Sequence, residues 1–436
     1  MFWRKIKGIW TKSGKKERRF GLGISVLLLI LVMILIYVMC RETPDKAADL
    51  EKDSSAGKTD KQVEKEQEEQ WDKGYDLPIQ QSVREEAQED CLEAMDMISG
   101  LYRQVEKEEN SDVVLSAEVL GNMQQELGKK GCPVITSDEY CNMLHYEKMD
   151  QFLKSCAEGE KGSIVMYDLS GSGGVGRKEF TFDGSDMYVL SAAGSWNLSG
   201  DAAVSYVSCT RIDQWEYTEK GWFGYELCVP EPPEVTEIMD GNEMVRVLPL
   251  SEACREMSRK YVYPLCYKGN NLLRSNWNEE NLEVIDYSGV YEYFYGMKYG
   301  RQVDPAVCTN GIPAEEFESV IMEYLPVTQE QLREWAVFDG ETQTYGWTGL
   351  GYNNSDLSDF GASVPEVVDI RENEDGTMVL TVDAVCESNR CVDALITHEL
   401  TIKVEEDGSF QYLGNQVLGD GLERIPEYPY RLGSQT

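Results

Sequence analysis

The chain has 436 residues, 42% of them hydrophobic and 10% aromatic, which is enough to pack one or two cores and excludes a wholly disordered stalk. Its net charge of −37 is unevenly spread: residues 1–19 carry eight basic side chains against Glu17 alone, so −44 falls on the remainder. So acidic a body repels nucleic acid and anionic headgroups, which excludes nucleic acid as a partner.

Phe20 to Cys40, FGLGISVLLLILVMILIYVMC, runs without a charge. At about 1.5 Å rise per residue it makes a helix of roughly 31 Å, the thickness of a bilayer's hydrocarbon core. The stretch predicts a single transmembrane helix over 20–40. The basic tail 1–19 then stays in the cytoplasm and the C-terminal body is extracellular. A cleaved signal peptide fits less well, because the run is long and no small-x-small site ends it. Met39 before Cys40 argues against a lipid-modified cysteine. An uncleaved signal-anchor is the expectation, with the membrane as a partner through one span.

Residues 41–81 are polar, charged and nearly free of aliphatics, and predict a disordered acidic linker. From Ser82 the texture changes. Ser82 and Glu85 have the spacing of a capping box, and Ala87, Cys91, Ala94, Met95, Ile98 and Tyr102 recur at helical spacing. A second helix is expected from Ala117 to Leu127, and a third from Thr136 with Tyr140, Leu144, Phe152 and Cys156 on one face. After Gly162 the period becomes two, in SIVMYDL, RKEFTF, MYVLSA, AVSYVS, IDQWEY and WFGYEL, an antiparallel meander. In WEYTEKGWFGY, Gly221 suits the left-handed position of a hairpin turn. Another hairpin is expected in EVTEIMDGNEMVRVLPL, and Ser251 caps a short helix reaching Tyr261.

The unit 82–312 is thus read as an α+β ectodomain, antiparallel and β-rich. From 313 to 420 a helix broken at Pro326 and restarted at Thr328 precedes four strands, with turns at Asp375-Gly376 and Asp407-Gly408. Such a C-terminal helix-plus-β-meander has the plan of a cystatin or NTF2-like cone. Residues 421–436 read as a tail.

The motifs that carry chemistry are weak. Gly171 to Gly176, GSGGVG, matches a dinucleotide loop, but the strand RKEFTF follows it where a helix is required, so a hairpin loop is expected. The only histidines are His145 and His398, and His398 sits on the apolar parity of its strand. No C-x-x-C occurs. No catalytic, cofactor-binding or metal-binding residue is assigned, and no cofactor is expected. Eleven cysteines lie beyond Cys40, an odd number. Cys386 with Cys391, bracketing a hairpin end, and Cys209 with Cys228, on adjacent strands, are the candidate disulfides.

Trp277, Tyr287, Tyr291, Tyr293 and Tyr295 crowd one aromatic stretch. Either these rings fill a core or they stack on sugars, with Asp286 or Glu292 serving as carboxylates.

The wording of FTFDGSDMYVLSAAGSWN, YTEKGWFGYELCVPEPPEVTEI and EEFESVIMEYLPVTQEQLREWA resembles a family of membrane-anchored, extracytoplasmic proteins of Gram-positive gut anaerobes with a domain of unknown function. The resemblance covers most of residues 82–420. It implies a compartment and a lineage and brings no activity. The function expected is that of a non-enzymatic binding or interaction module at the cell envelope, with an envelope glycan or protein as partner. The alternative is a carbohydrate-active envelope enzyme using paired carboxylates. The oligomeric state is not legible.

Overall fold

The computed structural model describes residues 71–436 except 106–113, 138–139, 198, 232–233, 235–240, 307, 309, 352–358, 387–392 and 433–436. The expected tail 1–19, the transmembrane helix 20–40 and most of the linker 41–81 lie outside the described residues. Among those described, no helix is long and apolar enough to cross a membrane. Gln70–Thr436 form one compact unit.

Order begins ahead of Ser82. The Arg211 N–H donates to Gly74 O at 2.6 Å and the Leu77 N–H donates to Cys209 O at 2.9 Å, so residues 74–77 run along one strand. Gly74 has φ +80°, and a Cβ there would stand 2.6 Å from Cys228 Sγ. Only glycine fits both the left-handed backbone and the close approach. With Leu77 3% exposed, the end of the expected linker is part of the fold.

Helix α1 (Gln81–Gln104) buries Ala87, Cys91, Ala94, Met95, Ile98 and Tyr102, as their spacing requires. Its N-cap is Gln80 with no side-chain cap, so Ser82 lies inside the first turn and the expected capping box does not form. Helix α2 (Ala117–Gly128) is capped by Ser116, which accepts from Val119 N–H. The expected third helix does not start at Thr136. Val134–Thr136, rich in β-branched residues, forms strand β1, and helix α3 (Tyr146–Ala157) begins only after His145 at φ 54°. A left-handed residue cannot continue a right-handed helix.

The first sheet has seven strands in sequence order. They are β1, β2 (Gly162–Leu169), β3 (Val175–Phe182), β4 (Met187–Trp196), β5 (Ala202–Tyr217), β6 (Trp222–Leu227) and β7 (Asn242–Arg246). The β1–β2 pair is parallel and the rest antiparallel. AVSYVS and IDQWEY merge into the 16-residue β5, because Cys209-Thr210-Arg211 supplies no turn. Gly221 takes the left-handed position, φ +87°, of the β5–β6 hairpin. Bulges between Ala193 and Gly194 and between Ile212 and Gln214 bend the sheet. Its inner face packs Met166, Phe180, Phe223, Tyr225 and Val245 against Phe152 and Leu153 of α3. Against Tyr167, Leu169 and Val175 on the other face lie α1 and α2.

The chain then forms α4 (Glu252–Met257), capped by Ser251, and one π turn, Ser258–Val262. Strand β8 (Trp277–Asn278) and helix α5 (Tyr287–Tyr299) follow. Next come β9 (Ile312–Pro313), α6 (Ala314–Tyr324) and α7 (Gln329–Trp335), the last with a complete Thr328–Gln331 capping box. Strands β10 (Phe338–Asp339) and β11 (Thr344–Tyr345) join β9 in a small sheet.

The second large sheet orders β12 (Val364–Glu372), β13 (Thr377–Val385), β14 (Thr397–Val404), β15 (Phe410–Val417) and β8. The four-strand meander is the one expected, but the unit does not start at residue 313: β8 supplies its fifth strand, and Phe294 of α5 stacks on Tyr412 at 5.9 Å. Of the expected tail 421–436, residues 433–436 lie outside the described residues, and the rest is not loose, since Arg431 is 6% exposed. The fold class is α+β, as expected.

Candidate functional site

Lys178 shares its parity on β3 with Phe180 and Phe182, so it points to the inner face of the first sheet. The sheet curls until Lys178 Nζ lies 3.2 Å from Glu243 Oε2 on β7 and 3.4 Å from the Tyr225 hydroxyl on β6. Strands β4 to β6 separate β3 from β7 in the sheet, so this ion pair spans the mouth of an incomplete barrel. Burial opposes the Lys178 charge, but attraction from Tyr225, Glu243 and Asp168 outweighs it and holds the ammonium above its ordinary range.

Asp168 on β2 stands opposite Gly176 and diagonal to Lys178 on the same face. Its carboxylate accepts no hydrogen bond from the described residues. Burial raises its pKa, Lys178 partly offsets that, and Glu243 adds to the rise.

These groups form one side of a cavity of about 370 Å³, which Val364 of β12 and Val385 of β13 close from the second sheet. Ile135, Thr136 and Tyr140 line it from β1 and the segment after it. Its volume is that of a small-ligand site. Trp222, at the head of β6, lines the same cavity and is 4% exposed. The Arg246 guanidinium lies 5.2 Å from its ring centroid and the Tyr140 ring 6.0 Å. Its indole N–H is sealed from solvent and has no acceptor among the described residues.

Two ion pairs bolt the sheets together near this cavity. Arg246 Nη1 of β7 donates to Glu366 Oε2 of β12 at 2.7 Å, and Lys220 Nζ donates to Asp383 Oδ2 of β13 at 2.8 Å. Thr397 also donates to Asp383, at 2.6 Å. Burial pushes Glu366 up to about 7, with Arg246 pulling the other way.

The aromatic stretch lies elsewhere and faces inward. Trp277 donates its indole N–H to Leu272 O, and Tyr287 donates to Leu282 O. Tyr291 is fully buried, stacks on Phe317 at 4.9 Å and donates to Glu316. Tyr293, half-buried, donates to Lys268 O. Of the expected sugar-stacking rings, Trp277, Tyr287 and Tyr291 are core and offer no open face to a pyranose. Tyr295 alone edges an open groove of about 690 Å³, with Tyr299 and Arg301. Asp286 caps α5 and accepts from the Tyr428 hydroxyl, while Glu292 pairs with Arg431.

Cys228 stands opposite Arg211, offset by two residues from Cys209 on the adjacent strand, and both are free thiols. At a diagonal of roughly 7–8 Å the pair lies at the far limit for a disulfide. Cys386 is buried, and Cys391 lies outside the described residues. His398 is buried in the core between Tyr267 and Asn415, and burial lowers its pKa to about 4. The GSGGVG stretch is the β2–β3 hairpin loop.

Asp168, Lys178, Trp222 and Glu243 were not singled out by sequence. A signal existed for Lys178, a cation on the parity of two phenylalanines, but none for the curl that brings β7 to it. Among the described residues no three His, Cys, Asp or Glu side chains converge to hold a metal.

No curated protein and no solved structure matches the chain. Residues 84–431 match the model described as a family of unknown function, DUF6070, and the chain belongs to that family.

Proposed function

We propose that this protein is a non-enzymatic binding module, held to the membrane by residues 20–40 and displayed outside the cell, that takes a small ligand in the cleft between its two large sheets. The observation that carries this reading is the cavity itself, lined by Ile135, Val245, Val364 and Val385 and by the Asp168 carboxylate, which accepts no hydrogen bond from the described residues. A donor on a bound ligand would meet that carboxylate in place of water, while the apolar lining covers the ligand's body. The carbohydrate-active alternative loses its carboxylates, because Asp286 and Glu292 are tied to the C-terminal segment. The cone-like plan of β12 to β15 with its helices favours a binding scaffold, by analogy of fold only.

Display outside the cell rests on the uncharged run 20–40, the cationic residues before it and the acidity after it. The resemblance to envelope proteins of Gram-positive gut anaerobes agrees with that compartment. Two measurements test the proposal. Protease added to intact cells should remove the body beyond residue 41, and full protection overturns the topology. The full-length chain carrying 5-fluorotryptophan should show a ¹⁹F shift at Trp222, assigned with Trp222→Phe, for at least one member of a small-molecule library spanning cations, anions and neutral compounds. A Trp222 signal that no member moves overturns the cleft as a binding site.

A further inference from the structure

The charge balance of the cleft narrows what it takes, on the premise that the cleft is the binding site. Among the described residues three charged side chains line it, Asp168, Lys178 and Glu243. Lys178 is spoken for: it meets Glu243 at 3.2 Å and the Tyr225 hydroxyl at 3.4 Å. The nearby Arg246–Glu366 and Lys220–Asp383 pairs are turned to each other and are not among the lining side chains. Among the described lining residues one negative charge is left over, on Asp168, and it accepts no hydrogen bond from them.

Gly176, directly opposite Asp168, has no side chain to cover it, and a Cβ there would stand 3.5 Å from Asp168 Cβ. The space beside the carboxylate is kept open. Around it the lining is mostly apolar, with Ile135, Val245, Val364 and Val385. Trp222 lines the same cavity and reports on what enters it.

We infer that the cleft binds a compact organic ammonium: a primary amine that meets Asp168 and an apolar body that meets the valine wall. An anion is disfavoured because Lys178 is already neutralised and Asp168 repels it. A bare metal cation is disfavoured because one carboxylate and apolar walls do not replace its hydration shell. A neutral apolar compound would strip water from the Asp168 carboxylate without supplying a donor, which penalises it. A volume of about 370 Å³ accommodates one or two amino-acid-sized residues.

The probes are leucinamide and leucyl-leucinamide, each against its N-acetyl derivative, with leucyl-leucine as a zwitterion and isocaproate as an anion. Affinity is read from the ¹⁹F shift of Trp222 in the full-length chain. The free amines should bind at least tenfold more tightly than their acetylated forms, a comparison that needs no variant. Asp168→Asn, nearly isosteric and without a protein hydrogen bond to lose, should erase that preference while leaving the thermal midpoint close to that of the parent. Equal binding of acetylated and free amines, preference for isocaproate, or an undiminished preference in Asp168→Asn each overturns the inference. If anions or neutral compounds move Trp222 while amines do not, this inference falls and the binding-module reading stands; if nothing in a broad library moves it, both fall.

Discussion

Arg246 at the end of β7 and Glu366 near the start of β12 meet at 2.7 Å with side-chain exposures of 6% and 0%, so the two large sheets are joined by an ion pair out of reach of water. Arg246 also donates to Leu248 O at 2.9 Å, and Trp222 covers its guanidinium. Removing one partner leaves the other buried and uncompensated, which typically costs about 3–5 kcal/mol, whereas an apolar pair of similar volume is often neutral. Arg246→Met should therefore lower the urea unfolding free energy by about 3 kcal/mol or more, and Arg246→Met with Glu366→Leu should recover most of it. A single variant as stable as the parent would mean that the pair does not brace the sheets.

Glu366 and His398 set opposite pH slopes. Burial holds Glu366 near 7 against an ordinary 4.5, so the folded state keeps a proton that the unfolded state has lost, and stability falls as pH rises through that window. Burial holds His398 near 4 against 6.5, so the unfolded state binds the extra proton, and stability rises with pH through its window. Across the shared range the two contributions nearly cancel, each at most about 1.4 kcal/mol per pH unit. His398→Gln should unmask a fall in stability from pH 5 to 6.5. Glu366→Gln should unmask a rise. Urea midpoints at three pH values decide it, and parallel profiles in the two variants would refute the assignment.

Alternation and turn chemistry made much of this fold legible. His398 on an apolar parity is a core histidine, Gly221 turns its hairpin, and Thr328 caps its helix. What stayed hidden depends on distant chain. Whether Lys178 is buried among phenylalanines or paired is decided by bulges at Gly194 and Gln214 that bring β7 round to β3, and local period carries no trace of that closure. The tyrosine-rich stretch resisted typing because a helix buried on most sides loses its polar stripe: Tyr287, Val290, Tyr291, Phe294 and Tyr295 are all buried in α5. Thr136 fails as a helix start because the pairing of Val134–Thr136 with Tyr167–Leu169 outweighs the apolar spacing downstream.

The stacked rings of α5 and α6 should behave as core. Phe317 lies between Tyr291 at 4.9 Å and Tyr345 at 4.2 Å, both near parallel, and Tyr345 donates to Glu318 at 3.0 Å. Phe317→Ala should cost about 3–5 kcal/mol, as large aromatic truncations do. Tyr291→Phe, which removes only the hydroxyl bond to Glu316, should cost about 1 kcal/mol. Neither should change retention on immobilised envelope glycans; a loss of retention in well-folded Tyr291→Phe would restore the sugar-binding reading.

The C-terminal segment is fastened by one arginine. Arg431 donates from Nε to Gly269 O at 2.8 Å, from Nη1 to Thr348 O at 3.3 Å and to Glu292, and its backbone N–H reaches Asp286 Oδ2 at 3.3 Å. Tyr428 adds a bond to the same Asp286 oxygen at 2.6 Å, and Arg274 holds Pro426 O at 2.6 Å. Gly269 has φ +72°, and a Cβ there would stand 2.7 Å from Arg431 Nη2, so the clasp also depends on a glycine. Arg431→Ala should lower stability by about 2–4 kcal/mol, because it strips the guanidinium's bonds to Gly269 O, Thr348 O and Glu292. Glu292→Gln, half-exposed, should cost less, about 1 kcal/mol. Limited trypsin treatment should then cut the loosened segment at Arg424 in Arg431→Ala before the parent is cut there. If the two are cleaved at the same rate and unfold at the same urea concentration, residues 426–431 are not fastened in solution and Glu292 is released for another role.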